Sequence, residues 1–262
     1  MTCRWINRLA LASALLLPFA TPSLAAQLPV AGGPRELVIT YRAQPADRPA
    51  FRAYLQGEQI AALRKLKAQG VLKSCEILFN DFVQPSTFDA MLVMSFNRFE
   101  DTGRWLEIEK TMPGGLSAAG LKLAKPSGSF SADLEWDGAA AQPGAAGEHV
   151  FYVIPYTYKV ADQYRSYVNG YVIPQTDGWI KEGALSRYRI FMNRYPVGDP
   201  DPWDTLFIYE YRSLADFGRR EEVLNKVRGP LREVAAWKQL SDVKADIRSE
   251  SENTIMNFLA AC

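Results

Sequence analysis

The chain contains an internal duplication, which constrains its fold more than any other feature. Residues 51–80 match residues 164–193 at a shift of 113, and a two-residue insertion changes the shift to 115 for later positions. Matched pairs include Arg52 with Arg165 and Gly70 with Gly183. Because a fixed-period self-match marks a repeated structural unit, the sequence predicts two copies of one motif.

The first 25 residues have the pattern of a secretory signal peptide. Arg4 and Arg8 precede a short apolar stretch, and small residues at positions 23 and 25 give the spacing of a cleavage site. A membrane span needs about 20 apolar residues, which is more than this stretch offers. We therefore expect cleavage and a periplasmic or secreted protein that does not insert into the membrane.

The mature chain is close to neutral. Loss of two arginines with the signal leaves 28 basic against 29 acidic groups, and neither sign forms a block. Nucleic acids and anionic membranes both attract concentrated positive charge. The composition therefore argues against a nucleic-acid partner, and a small-molecule ligand remains a possible partner.

Each copy has the pattern strand, helix, strand, strand, helix, strand. The predicted strands are residues 37–41, 71–83, 90–96 and 129–136 in the first copy and 150–158, 185–195, 205–211 and 243–250 in the second. Helices are expected to end at Gly70, to cover residues 101–110, and to begin near Asp162 and Ser213, while Pro174 is expected to break a helix. The predicted units are repeat 1 at 36–136, an Ala/Gly-rich linker at 137–148, repeat 2 at 149–250 and a C-terminal tail at 251–262.

A βαββαβ unit forms a four-stranded antiparallel sheet with both helices on one face, the ferredoxin-like arrangement. Its other face must be covered, and two such sheets in one chain can cover each other. The fold class that we predict is α+β, with two tandem ferredoxin-like repeats whose sheets face each other as an intramolecular α/β barrel. The chain would then be a monomer with an internal pseudo-dimer.

This architecture resembles the dimeric α/β-barrel superfamily, with a tandem copy in place of the usual homodimer. Within it, the run from Trp203 to Arg220 is similar to the segment of NIPSNAP-type domains in which an aromatic strand leads into a Ser-Leu-Ala helix start. The superfamily includes cofactor-free oxygenases, haem enzymes, lactone isomerases and proteins without established activity. The resemblance thus implies a fold and does not choose a function.

No metal or cofactor site is expected. His149 is the only histidine, and it precedes a strand, whereas haem members of the superfamily bind iron through a histidine in the later helix region. No organised set of His, Cys or carboxylate ligands is visible for another metal. A serine triad is disfavoured because there is no Gly-x-Ser-x-Gly motif. We interpret the repeated Asp-x-Gly-Arg at 101–104 and 216–219 as helix-start chemistry.

Polar residues on the second strand of each copy, together with tyrosines, are candidates for a site between the sheets. Strand alternation separates the polar residues from apolar partners that would pack on the helices. Of the 12 tyrosines, ten lie in the second copy. The catalytic residues are unknown, and the candidate ligand-binding residues are Glu76, Asn80, Arg187, Arg189, Asn193, Tyr209 and Tyr211. A location at a strand end in water remains the alternative for the polar members.

Two cysteines survive cleavage. An exported pair can form a disulfide. However, Cys75 lies in an apolar strand pattern and Cys262 ends the sequence, which favours a buried thiol and a frayed terminus.

Three functions remain open. The leading hypothesis is an exported protein that binds a small aromatic or amphipathic molecule between the two sheets. The alternative is a cofactor-independent oxygenase or isomerase that acts on a phenol, quinone or lactone. The third is a structural or partner-binding module whose sheets pack without a pocket.

Overall fold

The computed structural model describes residues 33–142, 148–195 and 203–262. The predicted signal peptide lies outside these residues, so its cleavage stays a prediction. The described strands are β1 Glu36–Ala43, β2 Ser74–Asn80, β3 Ala90–Ser95, β4 Ala124–Ala139, β5 Val150–Tyr158, β6 Leu185–Asn193, β7 Thr205–Tyr211, β8 Arg248–Glu250 and β9 Thr254–Ala261. The described α-helices are α1 Arg48–Tyr54, α2 Ile60–Ala68, α3 Thr102–Glu109, α4 Ala118–Leu123, α5 Ala161–Tyr167, α6 Ile173–Lys181, α7 Leu214–Gly218, α8 Arg220–Leu231 and α9 Ala235–Ile247.

The two repeats join edge to edge into a closed antiparallel barrel, in the order β4-β1-β3-β2-β9-β5-β7-β6. The last strand of each repeat pairs with its own first strand and with the second strand of the other repeat: β4 pairs with β1 and β6, and β9 pairs with β5 and β2. Short β8 extends the β5 side. Each repeat is therefore ferredoxin-like, and the predicted fold class is confirmed.

The end of the second repeat was predicted incorrectly. Residues 243–247 belong to α9, and the closing strand is β9, which lies in the segment expected to be a tail. Trp237 and Ile247 are buried ten residues apart, as on one helix face. The first repeat also extends further than predicted, because β4 continues through Asp137 into the expected linker.

The interior of the barrel is packed with apolar side chains. Its buried cluster consists of Val38, Leu78, Phe88, Met91, Val93, Phe130, Ala132, Phe151, Val153, Phe191, Trp203, Leu206, Ile208 and Met256. Two further clusters lie between the outer face of the barrel and the helices, one for each repeat. The predicted alternation is confirmed, since Ile77 and Ile190 face the helices. In the part of the chain that the structure describes, these apolar side chains occupy the space between the sheets where a ligand cavity was expected.

Each repeat has a π-helical turn in its first long helix, at Leu55–Gln59 and at Val168–Val172. These segments are separated by the repeat shift of 113. Pro174 was predicted to break a helix, but the helix is not interrupted there. The residue stands in the first turn of α6, directly after the π turn. Proline is tolerated in a first helical turn. It does not cause the π turn, since Ala61 occupies the matching position in the first repeat.

Cys75 and Cys262 form a disulfide, with Cα atoms 5.2 Å apart. The expectation of a free thiol and a frayed end was wrong. The backbone amide of Cys262 donates to the carbonyl oxygen of Cys75 at 3.1 Å, because β9 runs beside β2. The pairing of these two strands brings the cysteines together.

Candidate functional site

The repeated polar residues mainly hold the barrel together. Asn80 and Asn193 each donate to a carbonyl oxygen across the following loop and accept an amide two residues on, so they fix equivalent turns. Asp89 and Asp204 likewise accept backbone amides at the ends of β1 and β5. The Asp216 amide donates to Ser213 at a helix start, as predicted. The two asparagines, expected to bind a ligand, lie at turns.

A charged cluster occupies one end of the barrel. Arg189 donates to Glu76 at 2.5 Å, and these residues occupy the same position in the two repeats. Arg187 pairs with Asp137 at 2.7 Å. The nitrogen Nδ1 of His149 lies 2.6 Å from a carboxylate oxygen of Glu210. The candidates Glu76 and Arg189 therefore pair with each other, and their neighbours Arg187 and Glu210 have partners that the sequence did not indicate.

A pocket of about 180 Å³ lies on the other side of the sheet, between the second repeat's strands and its helices. Tyr209 and Tyr211 line it from β7, so the predicted candidates are divided between two faces of the sheet. The lining residues are Tyr152, Ile154, Tyr156, Tyr167, Tyr171, Val172, Gln175, Trp179, Phe207, Tyr209, Tyr211, Arg220, Glu221, Leu224, Arg228, Arg248 and Glu250. Most tyrosines of the sequence lie in the second repeat, and several of them line this pocket.

The tyrosines of the pocket are neutral hydrogen-bonding groups. Burial raises the pKa of Tyr209 and Tyr156 well above the usual value for a phenol, and it raises the pKa of Tyr167 as well. These phenols therefore keep their protons at neutral pH. They offer aromatic surface and polar hydroxyl groups to a ligand, and they are poorly suited to act as general bases.

Three arginines, not predicted as site residues, line the pocket. The Arg248 guanidinium lies 4.2 Å from the centre of the Tyr156 ring, and its Nε donates to the Tyr167 hydroxyl at 3.2 Å. Arg220 lies 4.8 Å from the ring of Tyr152. Arg228 donates to the side-chain oxygen of Gln175 at 2.5 Å. The wall is therefore both aromatic and cationic.

The first repeat has an opening of about 260 Å³ at the matching place, where Gln59, Leu66 and Trp105 stand for Val172, Trp179 and Arg220. Among its described lining residues, Trp105 is the one aromatic side chain and none is an arginine. Trp105 stands where the second repeat has Arg220, and its side chain is buried. Met94 and Phe96 replace the two β7 tyrosines and are also buried. A comparison of the repeats at a shift of 115 is the signal that identifies Arg220, because a buried apolar residue in one copy becomes an arginine in the other.

The pocket residues do not fit a haem. The pocket lies beside the later helices, but no histidine, cysteine or methionine lines it, and its phenols hold their protons. A volume of about 180 Å³ corresponds to about six water molecules, far less than a macrocycle occupies. Within the described ranges, no group of three or more His, Cys, Asp or Glu residues could hold a metal ion.

Comparisons with known proteins identify the fold. No family model and no curated protein matches the chain. A candidate monooxygenase from Lactobacillus acidophilus is similar in structure, with a TM-score of 0.53, 12% identity and coverage of 88% of this chain and 96% of that one. An anthrone oxidase-like protein has a TM-score of 0.54, 11% identity and coverage of 88% and 93%. A chlorite dismutase mutant from Candidatus Nitrospira defluvii has a TM-score of 0.50, 12% identity and coverage of 87% and 92%.

These likenesses extend over most of each chain at low sequence identity. The protein therefore has the tandem-duplicated ferredoxin-like fold of the dimeric α/β barrels. Among the residues that the structure describes, no helix has the length and apolar character needed to cross a membrane.

Proposed function

We propose that this duplicated α/β barrel binds a small aromatic or amphipathic molecule in the pocket between the strands and the helices of the second repeat. The observation that carries the proposal is the difference between the repeats at this place. The described lining of the first repeat's opening has Trp105 as its one aromatic residue and no arginine, whereas the second repeat's pocket is lined by Arg220, two further arginines and many aromatic rings. Pockets with mostly aromatic walls and a few polar groups are typical of small-molecule sites.

The surroundings of the pocket support binding more than proton-transfer chemistry. The buried phenols stay protonated, so they donate hydrogen bonds to a polar group on the ligand. Trp179 and Tyr209 meet edge to face, with ring centres 5.4 Å apart, and give one rigid wall. A flat aromatic body is the shape that such a wall accommodates.

The proposal also places the mature protein, as a monomer, in the periplasm or outside the cell. Support comes from the signal-like N-terminal sequence and from the disulfide between Cys75 and Cys262. Structural disulfides persist in oxidising compartments.

Replacing Arg220 with the bulkier tryptophan that the first repeat has at this position provides the test. The variant Arg220→Trp should abolish the thermal stabilisation and the tryptophan-fluorescence change that 2-naphthol and related aromatics produce in the wild type. Arg219→Trp is the matched control, because the neighbouring Arg219 is exposed and does not line the pocket. The proposal fails if no aromatic compound of the panel binds the wild type, or if Arg220→Trp binds as well as the control.

A further inference from the structure

The three arginines of the pocket differ in their charge partners. Arg220 pairs with Glu221 at 2.8 Å, and Arg248 pairs with Glu250 at 3.2 Å. Arg228 hydrogen-bonds instead to the neutral amide of Gln175, and no carboxylate of the described residues forms an ion pair with it. The pocket wall therefore carries one positive charge that the protein does not neutralise.

Gln175 holds Arg228 in a fixed direction. The Gln175 side chain is buried, and its amide nitrogen donates to the backbone carbonyl oxygen of Tyr171 at 2.7 Å. The indole nitrogen of Trp237 donates to the same carbonyl oxygen at 3.1 Å. Because the amide nitrogen of Gln175 is engaged in its bond to the Tyr171 carbonyl, its side-chain oxygen accepts from Nε of Arg228. The two terminal nitrogens of the guanidinium then remain for another acceptor.

The aromatic wall does not suit a cationic ligand. Guanidinium groups already lie over the rings of Tyr152 and Tyr156, at 4.8 Å and 4.2 Å from the ring centres. These are the positions that a ligand cation would take over an aromatic face. A second cation would also be repelled by Arg228.

We infer that the ligand of this pocket is an aromatic monoanion whose carboxylate pairs with Arg228 while its rings contact the tyrosine wall. The inference rests on the proposed function. The planar guanidinium fits a carboxylate through two parallel hydrogen bonds, and a partly buried cation gains most from a charged partner. Glu221 and Glu250 stay with their own arginines, so they leave this position to the ligand.

The test compares two probes of nearly equal shape, 2-naphthoate and 2-naphthamide, by calorimetric titration. The wild type should bind the carboxylate about tenfold or more tightly than the amide, as expected for one charge-assisted hydrogen-bonded pair. Arg228→Gln should remove this preference but still bind the amide, and Arg228→Lys should keep part of it. Arg232→Gln removes an exposed charge from the end of the same helix and should keep all of it.

Each result has a distinct meaning. Equal binding of both probes by the wild type overturns the inference without any variant and leaves the proposed pocket intact. A carboxylate preference that persists in Arg228→Gln also overturns it, because the anion then binds elsewhere. If neither probe and no other aromatic compound binds the wild type, the proposed function fails as well. Near-ultraviolet circular dichroism shows whether each variant is folded.

Discussion

At Glu210, burial and nearby positive charges shift the pKa of the carboxyl group in opposite directions. Burial raises the pKa of its carboxyl group, and the nearby Glu76 raises it further, while Arg189 and His149 oppose the rise. The folded chain therefore holds the Glu210 proton more tightly than the unfolded chain does. Its contribution to stability is complete below the unfolded pKa near 4.5 and is lost as the pH rises through the folded value.

The change Glu210→Gln removes this titration. As the pH rises from 4 to 7.5, the free energy of unfolding of the wild type should therefore decrease relative to that of the variant. Urea unfolding at several pH values measures the difference. Glu222→Gln is the control with the opposite sign, because Arg219 lowers the pKa of that exposed carboxyl. Parallel pH profiles for wild type and Glu210→Gln would contradict the assignment.

At the scale of elements, the π turns show how equivalent helices diverge. Gly57 and Gly170 occupy the same place in the two π turns. A Cβ atom added at Gly57 meets open space, whereas one at Gly170 would lie 2.5 Å from a methyl carbon of Leu240 in α9. Gly170 thus lets α9 approach the helix of the second repeat, whereas Gly57 has no such neighbour.

The matched substitutions Gly57→Ala and Gly170→Ala test this difference. Gly57→Ala should stabilise the protein by about 0.5–1 kcal/mol, because alanine loses less backbone entropy in a helix. Gly170→Ala should gain less or destabilise, because Leu240 must move. Denaturant unfolding of both variants against the wild type gives the two values. Equal gains would show that α9 does not constrain this turn.

The sequence predicted the helices and strands better than it predicted which side chains meet when these elements pack. The repeat pattern and period-2 strands were sufficient for the barrel, and β5 and β7 were predicted with the bounds that they have. The segment 243–250 failed because a short apolar run does not distinguish helix from strand. Tyr209 was grouped with Arg189 although the two face opposite sides of the sheet. The missed Arg228 and Arg248 reach the pocket only through packing of α8 and β8, which local sequence does not reveal.

At the scale of the whole molecule, the disulfide ties the two repeats together. It joins β2 of the first repeat to the end of β9, residues that are 187 positions apart. It therefore fixes one of the two seams of the barrel, the pairing of β2 with β9. A crosslink over so long a loop restricts the unfolded chain strongly.

Breaking this crosslink should lower the stability of the folded protein. Cys262→Ser should cost about 2–5 kcal/mol in the free energy of unfolding, by comparison with the removal of other native disulfides. Reduction should destabilise the wild type and leave the variant unchanged. Mass spectrometry of protein from the periplasmic fraction should find the intact disulfide and a chain without residues 1–25. Free thiols and an uncleaved N-terminus in that fraction would contradict both the crosslink and the proposed export.

The ion pair between Glu76 and Arg189 also has an evolutionary consequence. The two residues occupy one position of the repeat and contact each other across the approximate twofold axis that relates the repeats. In a dimer of identical chains, such a position faces its own copy, so it would place acid against acid or base against base. A dimer of identical chains cannot form this complementary pair, whereas a single chain whose two halves have diverged can. Once it was established, neither half remained an equal substitute for the other, and a return to a symmetric ancestor would bring like charges together.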